Sequence, residues 1–179
     1  LLSTKEGKCI RTPVSKLRTT KSRSSIGVKG IKLSKNDSII SLSILTHLEV
    51  TSEEAKTYLK LAKLNKNEDL ETDDDENDEN DEVTEIQLSE DRFQEMKACE
   101  QFVLTLTENG FGKRTSSYQF RVTNRGGSGI MCITTSSRNG NVLASFPVGH
   151  EDDIMLITKS GQLIRLSLIH ISEPTRLGF

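Results

Sequence analysis

The sequence predicts an all-β fold: propeller-like blades of four short strands, with one helical and acidic insertion between them. Three observations predict it. The first is a repeat. Thr4–Arg11 (TKEGKCIR), Thr107–Arg114 (TENGFGKR) and Thr158–Arg165 (TKSGQLIR) each read Thr-x-x-Gly-x-x-x-Arg, and each follows an apolar run. This is a hairpin signature: a strand, a turn whose glycine supplies the left-handed residue, then a second strand with basic residues. The second is that the remainder of each unit also repeats. Ile26–Leu33 (IGVKGIKL) parallels Arg125–Cys132 (RGGSGIMC), and Ile39–Leu45 (IISLSIL) parallels Val142–Val148 (VLASFPV). One unit is therefore four strands over about 50 residues, the length of a propeller blade. The third is composition. Aromatic residues make up 4% and tryptophan is absent, a thin apolar content that suits many small strands rather than one large core.

The elements follow in order. The motif glycines Gly7, Gly110 and Gly161 are spaced 103 and then 51 residues apart, so one extra segment lies inside the first interval. It is 46–100, which does not repeat the pattern. Thr51-Ser52-Glu53-Glu54 fits a capping box, and Ala55, Tyr58, Leu59 and Ala62 follow at helical spacing, so a helix is expected over 52–65. Residues 66–87 form an acidic low-complexity tract with almost nothing apolar to bury, expected to be disordered. A second helix is expected over 90–99 with Ser89 as its N-cap. The expected organisation is thus 1–45, a blade; 46–100, the insertion; 101–165, the next blade and the start of a further one; and 166–179, a tail. The tail contains LSLIHISEPTR, which resembles the translation of a transposase adapter, and it is expected to be non-native. The chain begins at Leu1 inside a strand-like run, as a fragment would.

Charge is segregated. Residues 68–85 hold 12 of the 26 acidic residues and no basic one; elsewhere 24 basic residues face 14 acidic ones, about +10. Residues 1–45 carry 10 Lys/Arg against Glu6 and Asp37. The fitting partner of the basic part is a polyanion. Its cations recur at equivalent places: Arg11, Arg114 and Arg165 in the hairpins, Lys8 and Lys113 beside them, Lys16, Arg18, Lys21, Arg23, Lys29 and Lys32 in the first unit, and Arg121, Arg125 and Arg138 in the second. Stacked blades would set these in a ring, a positive rim suited to sequence-independent contacts with duplex phosphates. The loop around Gly126, Gly127 and Gly129, flanked by Arg121 and Arg125, suits a phosphate and suits a plain β-turn equally.

Catalysis finds little support. His47, His150 and His170 are scattered, with no cysteine or carboxylate pair at ligand spacing. Gly110–Thr115 (GFGKRT) is not a Walker loop, because Arg114 follows Lys113 where Ser or Thr is needed. The three cysteines, Cys9, Cys99 and Cys132, read as free thiols of a reducing compartment. No apolar run approaches the roughly 18 residues of a membrane helix.

The run Glu100–Thr115 (EQFVLTLTENGFGKRT), Tyr118, Arg121–Ile130 (RVTNRGGSGI), Ser145–Val148, Ile154–Thr158 and, upstream, Gly27–Ile31 resemble the C-terminal domain of DNA gyrase A. The insertion looks like that of alphaproteobacterial members. The resemblance implies a β-pinwheel, a propeller variant whose blades exchange strands. It implies that the domain wraps double-stranded DNA and so supports negative supercoiling of DNA. It further implies a cytoplasmic A2B2 heterotetramer with the N-terminal region of gyrase A and with gyrase B, for which Mg2+ and ATP are cofactors held outside this chain. The family's cleaving tyrosine also lies elsewhere, so neither Tyr58 nor Tyr118 is that nucleophile. The family's gyrase box reads Gln-Arg-Arg-Gly-Gly-Lys-Gly; Asn124–Gly129 is a degenerate version with Ser128 at the lysine position. The matching domain of the topoisomerase IV A protein, which lacks the full box, and a propeller that binds protein through its loops are the other readings.

Overall fold

A computed structural model describes residues 1–67, 88–149, 151–168 and 175–176. The expected disorder of 66–87 falls almost wholly outside them. The chain divides into two units, 1–45 with 101–179, and 46–100.

The first unit is built of hairpins. β1 (Leu2–Thr4) and β2 (Lys8–Ile10), β4 (Phe102–Thr107) and β5 (Phe111–Ser116), and β8 (Asp153–Ile157) and β9 (Leu163–Ser167) each pair antiparallel. The repeated motif is the turn of all three. Gly7, Gly110 and Gly161 have φ of +81°, +76° and +83°. Each of these glycines donates its N–H to the motif threonine carbonyl, at 3.1, 3.1 and 3.0 Å. The threonine hydroxyl then accepts from the N–H that follows the glycine: Thr4 from Lys8, Thr107 from Phe111 and Thr158 from Gln162, at 3.2, 3.3 and 3.1 Å. Threonine thus suits the position because its side chain takes up the next N–H of a turn that the backbone bond has closed.

Each of the first two hairpins carries a further strand beside its first strand: β3 (Ile39–Leu42) beside β1, and β7 (Val142–Val148) beside β4. The fourth strand of each sheet comes from elsewhere. β6 (Ile130–Met131) pairs with β2, about 120 residues upstream, in the register Lys8↔Met131 and Cys9↔Ile130. β10 (Thr175–Arg176) pairs with β5. The sheet orders are β3-β1-β2-β6 and β10-β5-β4-β7, and through β6 the second blade lends a strand to the first. Gly129 permits the approach of β6: its φ is +75°, and a Cβ there would lie 2.5 Å from the Cys9 carbonyl oxygen.

Strand β4 alternates between two cores. Val103 packs with Cys9, Phe120, Cys132, Ile133 and Val142. Leu104 and Leu106 pack with Val148, Ile154 and Leu168. A period of two therefore serves both faces of a strand that has sheet on each side. Hydroxyls complete the seam between the first two sheets, where Ser3 Oγ donates to Ser145 Oγ at 3.2 Å and Ser145 Oγ lies 3.3 Å from Thr105 Oγ1. These buried serines and threonines explain how so few aromatic residues suffice. β9 runs past 165, so the expected start of the tail at 166 falls inside a strand, and Leu168 is fully buried.

The second unit holds two helices, α1 (Ser52–Asn67) and α2 (Glu90–Ala98). The capping box forms: Thr51 N donates to Glu54 Oε2 at 2.7 Å and Glu54 N to Thr51 Oγ1 at 3.2 Å. Ser89 accepts from Arg92 N, as an N-cap should. Tyr58 and Met96 are fully buried, and the Tyr58 and Phe93 rings lie 5.1 Å apart. Arg92 ties the two helices, pairing with Glu54 at 3.2 Å and Glu95 at 2.6 Å.

Candidate nucleic-acid interface

The repeat places Arg11, Arg114 and Arg165 at one position of three hairpins, yet their surroundings differ. Arg165 is 74% exposed and pairs with Asp153, its Nε 2.9 Å from the carboxylate. Arg114 is 6% exposed, with its guanidinium 4.4 Å from the centre of the Phe102 ring. Arg11 is half-buried; its guanidinium donates to the carbonyls of Ser117 at 2.8 Å and Phe120 at 3.5 Å, and burial pulls its pKa below the ordinary value. The expectation that all three open onto a rim is corrected on position. Arg114 is inside, held over an aromatic face, and Arg11 fastens the second blade to the first.

The cations that the structure gathers lie where the first two blades meet. Lys16 Nζ donates to Asn124 Oδ1 at 2.9 Å. Arg125 donates to the Lys29 carbonyl at 3.5 Å. The two glycine-rich loops run against each other, Gly126 N donating to Gly30 O and Lys32 N to Gly127 O. Thr123 N donates to Arg11 O at 2.8 Å and Thr12 Oγ1 to Thr123 O at 2.6 Å, which ties the two blades together at the junction. A cleft of about 200 Å³ opens there, lined by Arg11, Arg121, Asn124 and the backbone of Gly127–Gly129 among others. Lys16, Lys29, Lys32, Arg121 and Arg125 are all exposed.

The remaining sequence candidates are spread more widely. Arg18, Lys21 and Arg23 stand exposed on an extended segment without regular structure. Lys8 is half-buried and bonds Ser34 at 3.0 Å; Lys113 is half-buried in β5. Arg138 is exposed, with its guanidinium 5.3 Å from the centre of the Phe111 ring. Sequence reasoning missed Asn124 as a member of the junction; its place in the degenerate box was the available signal. Among the described residues, no three His, Cys, Asp or Glu side chains converge as metal ligands. Tyr58 is buried and donates to Glu100 at 2.9 Å, and Tyr118 is buried in the turn that follows β5.

A family profile described as the DNA gyrase C-terminal domain, beta-propeller, matches residues 1–46, 101–148 and 152–178. It passes over the helical unit. The DNA gyrase A protein of Rickettsia typhi is 44% identical over 173 residues, 94% of this chain and 18% of that protein. The DNA gyrase A protein of Granulibacter bethesdensis is 41% identical over 93% of this chain and 19% of its own length. A solved structure of a DNA gyrase A C-terminal domain superposes with a TM-score of 0.56 at 18% identity, covering 98% of this chain and 39% of that one, and so shows the shared fold. The chain spans about a fifth of the length of the two gyrase A relatives. Strand exchange, the repeated turn and the profile match over most of the two blades agree: the chain belongs to the family of DNA gyrase C-terminal domains.

Proposed function

We propose that this chain is the DNA-wrapping portion of a gyrase A protein, and that the junction between its first two blades is a phosphate-binding stretch of the DNA path. The observation that carries the reading is the convergence of Lys16, Lys29, Arg121 and Arg125, drawn from segments about a hundred residues apart, beside glycine loops. Cations on flexible stems beside exposed backbone suit phosphates and carry no base-reading helix. Lys32, Arg18, Lys21, Arg23 and Arg138 extend this surface, whereas Arg11 and Arg114 act in the fold. In the whole enzyme, bending DNA here presents a segment for strand passage, within an A2B2 assembly of the cytoplasm that uses Mg2+ and ATP at sites outside this chain. Relatives that are gyrase A proteins favour this over the topoisomerase IV reading. That the tail from 166 is foreign rests on its likeness to an adapter alone, against β9 running to Ser167, the buried Leu168 and a profile match to 178; genomic sequence reading through LSLIHISEPTR would overturn it.

The test is a mobility shift on random-sequence duplex DNA across salt. If about 6 phosphates are neutralised, affinity falls roughly a thousandfold between 50 and 200 mM salt. Binding that ignores salt, or no binding, favours a protein-binding propeller instead.

A further inference from the structure

The exchanged strand brings two cysteines together. Cys9 lies on β2 of the first blade, and Cys132 follows β6, the strand lent by the second. The register Cys9↔Ile130 sets Cys132 against the hairpin turn, where its N–H donates to Gly7 O at 2.8 Å and its Sγ–H to the same oxygen at 3.1 Å. Both cysteines belong to one buried cluster, and both are free thiols. The two thiols act on each other: the Cys132 thiol and burial raise the Cys9 pKa, and the Cys9 thiol lowers that of Cys132.

We propose that Cys9 and Cys132 form an oxidative modification site: a dithiol that a hydroperoxide closes into a disulfide between the two blades. Cys132 is the attacking sulfur, because it is the less deeply buried of the two, 8% exposed against 0% for Cys9. Its thiolate attacks the outer peroxide oxygen, breaking the O–O bond; the sulfur becomes a sulfenic acid and the other oxygen leaves to take a proton. The Cys9 sulfur then displaces the sulfenic hydroxyl, forming the S–S bond and releasing water with the Cys9 proton. Two thiols lose two electrons, and one peroxide becomes two waters, or a water and an alcohol. Access does not require global unfolding. Cys132 follows β6, which is two residues long, so its ladder to β2 opens locally at low cost. Cys99 lies in the other unit and has no part in the step.

The experiment uses the intact protein that carries this chain, reduced, then treated with hydrogen peroxide in native buffer. Remaining thiols are blocked with N-ethylmaleimide, and the protein is digested with trypsin without reductant. Mass spectrometry should find the peptide Cys9–Arg11 joined to Gly126–Arg138, with Cys99 blocked. The melting temperature of this region should rise by about 5 °C, since the bond closes a long loop, and dithiothreitol should reverse the rise. Cys9→Ser and Cys132→Ser should each abolish both effects, and Cys99→Ser neither. Recovery of Cys9 and Cys132 unlinked, linkage through Cys99, or linkage only in urea overturns the proposal.

Discussion

Arg114 and Arg165 occupy one seat of the repeat and meet different neighbours. The residue that faces Arg114 is Phe102; its counterpart 51 residues on is Asp153, which pairs with Arg165. Sequence equivalence was readable, but exposure was not, because it depends on the neighbouring strand. This separates two kinds of arginine by experiment. Arg114→Ala should lower stability by about 2 kcal/mol, from the lost ring contact and packing, and leave the salt dependence of DNA binding unchanged. Arg121→Gln should leave the melt unchanged and reduce the slope of log affinity against log salt by about 1. Glycines divide in the same way. Gly129→Ala should cost about 2 kcal/mol or more in urea melts, because the new Cβ meets the Cys9 carbonyl in a left-handed residue. Gly161→Ala, with nothing within 4 Å, should cost only the conformational part, about 1 kcal/mol.

At the scale of elements, what the sequence made legible was whatever is local. The Thr-x-x-Gly turn, the Thr51–Glu54 box and the Ser89 cap each consist of side chains within four residues of the backbone groups they satisfy. Strand β6 was not legible as the partner of β2, since two residues carry no pattern and the pairing spans about 120 positions. The family resemblance implied strand exchange in general and not this pairing. The capping box has a pH consequence. The Thr51 backbone N–H holds the Glu54 pKa below its ordinary 4.5 against the opposing effect of burial, helped by the Thr51 hydroxyl and Arg92. A carboxylate so depressed stabilises the folded helix above pH 4.5 and loses that contribution as pH falls through the folded value. Helicity of α1, followed by circular dichroism, should hold above that pH and decline below it. Glu54→Gln should be less helical at neutral pH and lack this part of the acid transition.

On the scale of the whole chain, the charge segregation pointed to a polyanion partner but not to the junction. Lys16 and Asn124, or Lys29 and Arg125, meet only after the blades have stacked. The acidic run adds a test that belongs to the molecule as a whole. Its 12 carboxylates stand in one chain with a remainder of about +10, and we propose that they compete with phosphates for the same cations. Deleting 68–85 should tighten DNA binding in low salt and matter little in high salt, measured by titration of labelled duplex. Affinity unchanged at low salt would remove the competition.

The spacing of the three motif turns says where new domains are admitted. Leu45 and Val148 are equivalent in the repeat, as are Phe102 and Asp153; four residues, 149–152, do in one place what 46–101 do in the other. The strand-exchange scaffold thus has a docking port for foreign sequence at the joint between blades. A reporter protein or a crosslinking handle grafted in place of 46–100 should leave the blade register intact.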